Sequence, residues 1–108
     1  MDNKEIHVLY GKTGEYDEEV RWTVCASFNK ELLEYHKIKC TEEANRIIKD
    51  IHKMKSYTHH YNFLVEEKKI EPHATDSNFQ IIDSEVEYYI QSVPILGVKT
   101  DAWKNRNN

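Results

Sequence analysis

Six histidines and two cysteines carry the richest side-chain chemistry in this chain. His36 and Cys40 stand four residues apart, so on a helix they share a face, and His59, His60 and His73 could add nitrogen ligands. A zinc site needs three or four converging N or S ligands, usually built around a tight pair. The chain has neither a CxxC nor an HExxH pair, and Cys40 falls within an apolar stripe. His59 and His60 would point about 100° apart on a helix. A small buried thiol is the simpler reading of Cys40, and no metal or other cofactor is expected.

Cys25 offers a different chemistry. It lies on the polar parity of an alternating segment, with Arg21 and Thr23, and His7 has the corresponding parity in an earlier segment. A Cys and a His on one sheet face can form an activated thiolate. No third group orients the imidazole, so an inert strand cysteine is the simpler reading. Gly11-Lys12-Thr13 matches the end of a phosphate-binding loop. That motif needs a glycine five residues earlier, where Ile6 stands, and a helix immediately after, where an alternating segment stands. Glu18-Glu19 and Glu66-Glu67 are neighbours that face apart, which gives no acid–base pair. No catalytic residue is nominated, and the chain is not expected to be an enzyme.

The elements that must position any site follow from periodicity. Ile6, Val8 and Tyr10 alternate with His7 and Leu9, a short strand. Val20, Trp22, Val24, Ala26 and Phe28 alternate with Arg21, Thr23, Cys25 and Ser27, a second strand with one covered and one wet face. Between them a loop of about ten residues, with Gly11 and Gly14 permitting the turn, is a favourable place for function. Asn29 caps a helix predicted over 30–55. Its stripe is Leu33, Cys40, Ala44, Ile47, Ile51 and Met54, widened by Leu32 and Ile48. Tyr57, Tyr61, Leu64, Val65 and Lys68 predict a second helix, or an extension of the first, over 58–69, ended by Glu71-Pro72. Residues 73–78 read as a polar loop and 79–82 as a brief extended piece. Val86, Tyr88 and Ile90 alternate with Glu87, Tyr89 and Gln91, a third strand that Pro94 ends. The predicted fold is α+β, ββα(α)β: a three-stranded antiparallel sheet packed on one long helix, a single domain over 1–98 with a frayed tail over 99–108.

Composition narrows the partners. The 108 residues carry 19 acidic and 15 basic side chains, a formal net charge of −4, which works against binding a phosphate backbone; nucleic acid is not expected. No apolar run approaches the ~20 residues of a membrane span, so no membrane partner is expected. Met1-Asp2-Asn3-Lys4-Glu5 lacks the basic-then-apolar layout of a signal peptide, and a cytoplasmic location is expected. Seven tyrosines are many for this length. Trp22 and Tyr88 take covered parities and belong in the core, whereas Tyr89 takes the opposite parity and Tyr16 lies in the loop.

Gly14-Glu15-Tyr16-Asp17 with Trp22, then a long helix, then Phe79-Gln80 and Tyr88-Tyr89-Ile90 ending near Val93, form a recognisable layout. It resembles a group of small phage and prophage proteins that begin with a tyrosine-rich strand and a TGEY-type turn. The resemblance implies a ββαβ fold and an accessory role in the cytoplasm of a host cell, and it brings no catalytic residues. The expected function is binding of a host protein, with inhibition of an antiviral defence as the narrower expectation. The expected contact residues are Glu15, Tyr16 and Asp17 at the turn and Arg21, Thr23, Tyr89 and Gln91 on the wet sheet face. The alternatives are a binder of a small anionic or nucleotide signalling ligand, through Lys12, Arg21 and Tyr16, and a small metal- or thiol-dependent enzyme. An unpaired sheet edge also offers a route to a homodimer.

Overall fold

The computed structural model describes residues 5–54, 61–82 and 85–95. Strands β1 (Glu5–Thr13) and β2 (Val20–Ser27) are followed by helix α1 (Lys30–Lys53), a short helix α2 (Tyr61–Glu66) and strand β3 (Val86–Pro94). The three strands form one antiparallel sheet in the order β2-β1-β3, with α1 against one face. This is the α+β architecture the periodicity predicts. The expected tail over 99–108, the boundary at 98 and residues 55–60 lie outside the described residues.

Strand β1 is longer than its sequence suggests and presents the other parity to the helix. It runs through Gly11 to Thr13, so the hairpin connection is six residues, Gly14 to Glu19, rather than about ten. Leu9, Gly11 and Thr13 are buried, while Ile6, Val8 and Tyr10 lie on the opposite, open face. Gly11 is therefore not a turn residue. The Trp22 ring lies over it where a side chain would stand, and a Cβ there would collide with the indole.

Strand β2 contains a bulge. Leu9 pairs with Cys25 but Tyr10 pairs with Thr23, which leaves Val24 as the extra residue. Cross-strand partners share a face. The bulge therefore brings both Trp22, opposite Gly11, and Cys25, opposite Leu9, to the helix side. Cys25 is half-buried among core residues, a correction to its expected place beside Arg21 and Thr23.

Helix α1 starts as predicted: the Asn29 side chain accepts the Leu32 N–H at 3.1 Å. Its 24 residues span about 36 Å. Leu33, Cys40, Ala44, Ile47 and Ile51 enter the core, but Leu32 does not widen the stripe and stands exposed. Helix α2 ends at Glu66, short of the predicted 69 and well before Pro72. Lys68, at φ 58°, terminates it, with its N–H donating to Val65 O and the Lys69 N–H to Leu64 O.

Residues 73–78 form an irregular loop, as expected, but one side of the segment is buried. Ile70, His73, Asp76 and Phe79 form a layer of core side chains, in which His73 bonds Cys40 O of α1 and Tyr88 of β3. Residues 79–82 carry no strand pairing. Arg46 donates to Glu71 O and Pro72 O, Glu43 accepts the Ala74 N–H, and the Asn78 amide donates to Thr23 O, so the segment is tied to helix and sheet together.

Candidate functional site

Two constellations emerge, one closed and one open. The closed one surrounds Asp76, whose surface is 2% exposed, and His73, 7% exposed. Asp76 Oδ2 accepts from Trp22 Nε1 at 2.9 Å and from the Tyr88 hydroxyl at 2.7 Å, and its Oδ1 accepts the Asn78 N–H at 3.0 Å. His73 Nδ1 accepts the Thr75 N–H at 3.2 Å. That leaves Nε2 as the protonated nitrogen, donating to Cys40 O at 3.0 Å and Tyr88 Oη at 3.1 Å. The Tyr61 hydroxyl accepts the His73 N–H at 2.8 Å. Phe79 packs edge-on to Trp22 and Tyr61 and against the His73 ring.

Among the described residues no buried side-chain N or O lacks a partner. Burial holds His73 below its ordinary pKa and pushes the Tyr88 hydroxyl up, reinforced by its bond to Asp76. A buried polar network satisfied in this way rigidifies the core and specifies its packing. Sequence reading missed Asp76. Its signal was the Asp-x-Asn spacing of an Asx turn, but its main partners lie 54 and 12 residues away.

The histidine and cysteine expectations resolve around the same layer. His36 and Cys40 do share a face, and both contact Thr75 O. Burial pushes the Cys40 thiol up to about 11, and burial also raises Cys25, which lowers the thiolate fraction of both. His7 contacts Ser92 Oγ at 2.7 Å. Among the described residues no group of three or more His, Cys, Asp or Glu is placed to hold a metal. His59 and His60 lie outside the described residues.

The open constellation is the sheet face away from α1, continued into the hairpin tip. Register sets its rows: Ala26, Val8 and Gln91; then Thr23, Tyr10 and Tyr89; then Arg21, Lys12 and Glu87. Tyr10 and Tyr89 stack with centroids 5.3 Å apart, and the Arg21 guanidinium reaches the Tyr89 hydroxyl at 3.5 Å. Arg21, Thr23, Tyr89 and Gln91 thus share one surface, to which the structure adds Ile6, Val8 and Tyr10. Lys12 and Arg21 stand opposite each other, but each is matched by a carboxylate, Glu87 and Glu19 respectively.

Beyond the last row the chain turns through a single 3-10 turn, Tyr16–Glu18. Gly14 takes φ 86° and Tyr16 takes φ 54°, a conformation that costs a tyrosine about 1–2 kcal/mol. Tyr16 is 91% exposed, with Glu15, Asp17 and Glu18 exposed around it.

Comparison of the chain with protein-family models, with curated proteins and with solved structures returned no match. Among the described residues no helix is long and apolar enough to cross a membrane.

Proposed function

We propose that this chain is a small accessory protein that works by binding another protein, through its open sheet face and hairpin tip, rather than by catalysis. The observation that carries the reading is the placement of the apolar parity of β1, Ile6, Val8 and Tyr10, on the face α1 does not cover. A protein interface has an apolar centre with aromatic anchors and a polar rim. Here the centre is that row with the Tyr10–Tyr89 stack, and Arg21, Thr23 and Gln91 form the rim. Tyr16 stands at the tip in a strained backbone although nothing in the fold uses its ring, which suits an anchor presented to a partner. The resemblance to small phage proteins supports a host protein as that partner, with an antiviral defence factor as the narrower candidate; this step is an analogy of families.

The test is capture of a host protein by tagged wild type, Tyr16→Ala and Val8→Glu, with thermal unfolding of each. Tyr16→Ala is expected to leave the melting temperature nearly unchanged and to weaken capture about tenfold, as loss of an anchor does. Lower stability with undiminished capture would overturn the proposal.

A further inference from the structure

The back of α1 keeps three apolar side chains in water: Leu32, Tyr35 and Ile38 are 57, 58 and 55% exposed. At about 100° per residue they cover an arc of about 120° centred on Tyr35, roughly opposite the direction in which Leu33 and Cys40 enter the core. The open sheet face does not include them. Their arrangement is symmetric along the chain. Leu32 and Ile38 lie three residues either side of Tyr35, and Glu31 and Lys39 lie four either side. Apolar residues mirror each other about Tyr35, and an acid mirrors a base.

We propose that this face pairs with the same face of a second copy of the chain, the two α1 helices running antiparallel about a twofold axis beside Tyr35. A twofold interface uses one patch twice and must complement itself. In this arrangement Leu32 of one copy shares a layer with Ile38 of the other, and Tyr35 meets its own counterpart. Glu31 lies beside Lys39 of the second copy, and the reciprocal pair repeats it. A parallel pair would set Glu31 against Glu31 and Lys39 against Lys39, so the charges select the antiparallel form, as do the helix dipoles. Lys39 is already aimed over this surface. Its ammonium lies 5.4 Å from the Tyr35 ring centroid and 3.7 Å from Glu42, an exposed pair weak enough to be exchanged. A few side chains per copy fall short of the ~1,600 Å² of a standard interface, so the dimer is concentration-dependent rather than obligate.

Sedimentation velocity over a concentration series tests this, with circular dichroism to confirm that each variant is folded. Wild type is expected to dimerise as concentration rises. Glu31→Lys and Lys39→Glu should each weaken the dimer about tenfold, because each change turns two attractions into two repulsions. The double swap should return it to within about threefold of wild type, and Tyr35→Glu should remain monomeric. A wild type that is monomeric throughout would overturn the proposal and assign the face to a different partner. So would a dimer indifferent to Tyr35→Glu, or a double swap as weak as the single ones.

Discussion

Two exposed side chains sit in left-handed backbone for different reasons. Lys68 is the residue just past the end of α2, where the backbone must reverse its hand to close the last carbonyls. Any side chain there is strained, and glycine is not. Lys68→Gly is expected to raise stability by about 1 kcal/mol, read as a higher urea midpoint; an unchanged or lower midpoint would contradict this account. Tyr16 closes no such helix end: its positive φ lies within the six-residue hairpin connection, and its ring is 91% exposed. The exposure of Tyr16 was legible from its place in a glycine-containing, acidic loop. Its backbone was not, because the sign of φ depends on how six residues join two strands already held in register. Asp76 was illegible for a related reason: a polar loop residue becomes a core residue only when a distant Trp22 and Tyr88 supply its partners.

At the scale of elements, strand and helix periods located β2, α1 and β3 nearly to the residue, because each carries a strong alternation or stripe. The face of β1 escaped because alternation gives parity without direction. Ile6, Val8 and Tyr10 are the more apolar set, yet Gly11 and Thr13 go inward: Gly11 clears space for Trp22, and the Thr13 hydroxyl bonds Glu85 O and Ile82 N. The bulge at Val24 escaped because a local period cannot announce a one-residue slip between strands. The least legible element was the segment over 71–75, which has no period of its own and is held by partners from α1. Arg46 is the main tie. Arg46→Ala is expected to cost about 1–2 kcal/mol and to speed amide hydrogen exchange at residues 73–75 selectively. Uniform acceleration across the chain would mean that the segment is not held separately.

For the whole molecule, a few buried or hydrogen-bonded titratable groups set the pH range of stability. Burial depresses His73 below its ordinary 6.5, so the fold keeps the ring neutral while the unfolded chain takes a proton. Its contribution is complete above 6.5 and is lost as pH falls through the folded value. Glu43, held down chiefly by its hydrogen bonds to Arg46, acts in the same direction further into acid, below 4.5. Cys40, raised by burial from 9.0 to about 11, contributes fully below 9.0 and loses that contribution as pH rises through 11; Tyr88, raised from 10.0, adds to the alkaline loss. The unfolding free energy should therefore be highest between about pH 7 and 9 and fall on both sides, by up to about 1.4 kcal/mol per pH unit for each proton exchanged, read as a lower urea midpoint. A midpoint that stays flat from pH 7 to 5 would contradict a buried neutral His73.

The order of the sheet has a consequence for how the chain reaches its fold. The central strand is the first described element, and Thr13 pairs with Val86, 73 residues later. Until β3 arrives, the β1–β2 hairpin offers a bare edge of backbone amides and carbonyls, open to strand exchange with the β3 of a neighbouring nascent chain. Closure across so long a separation is slow, so crowding during synthesis is the condition under which this small protein is most exposed to swapped and tangled assemblies.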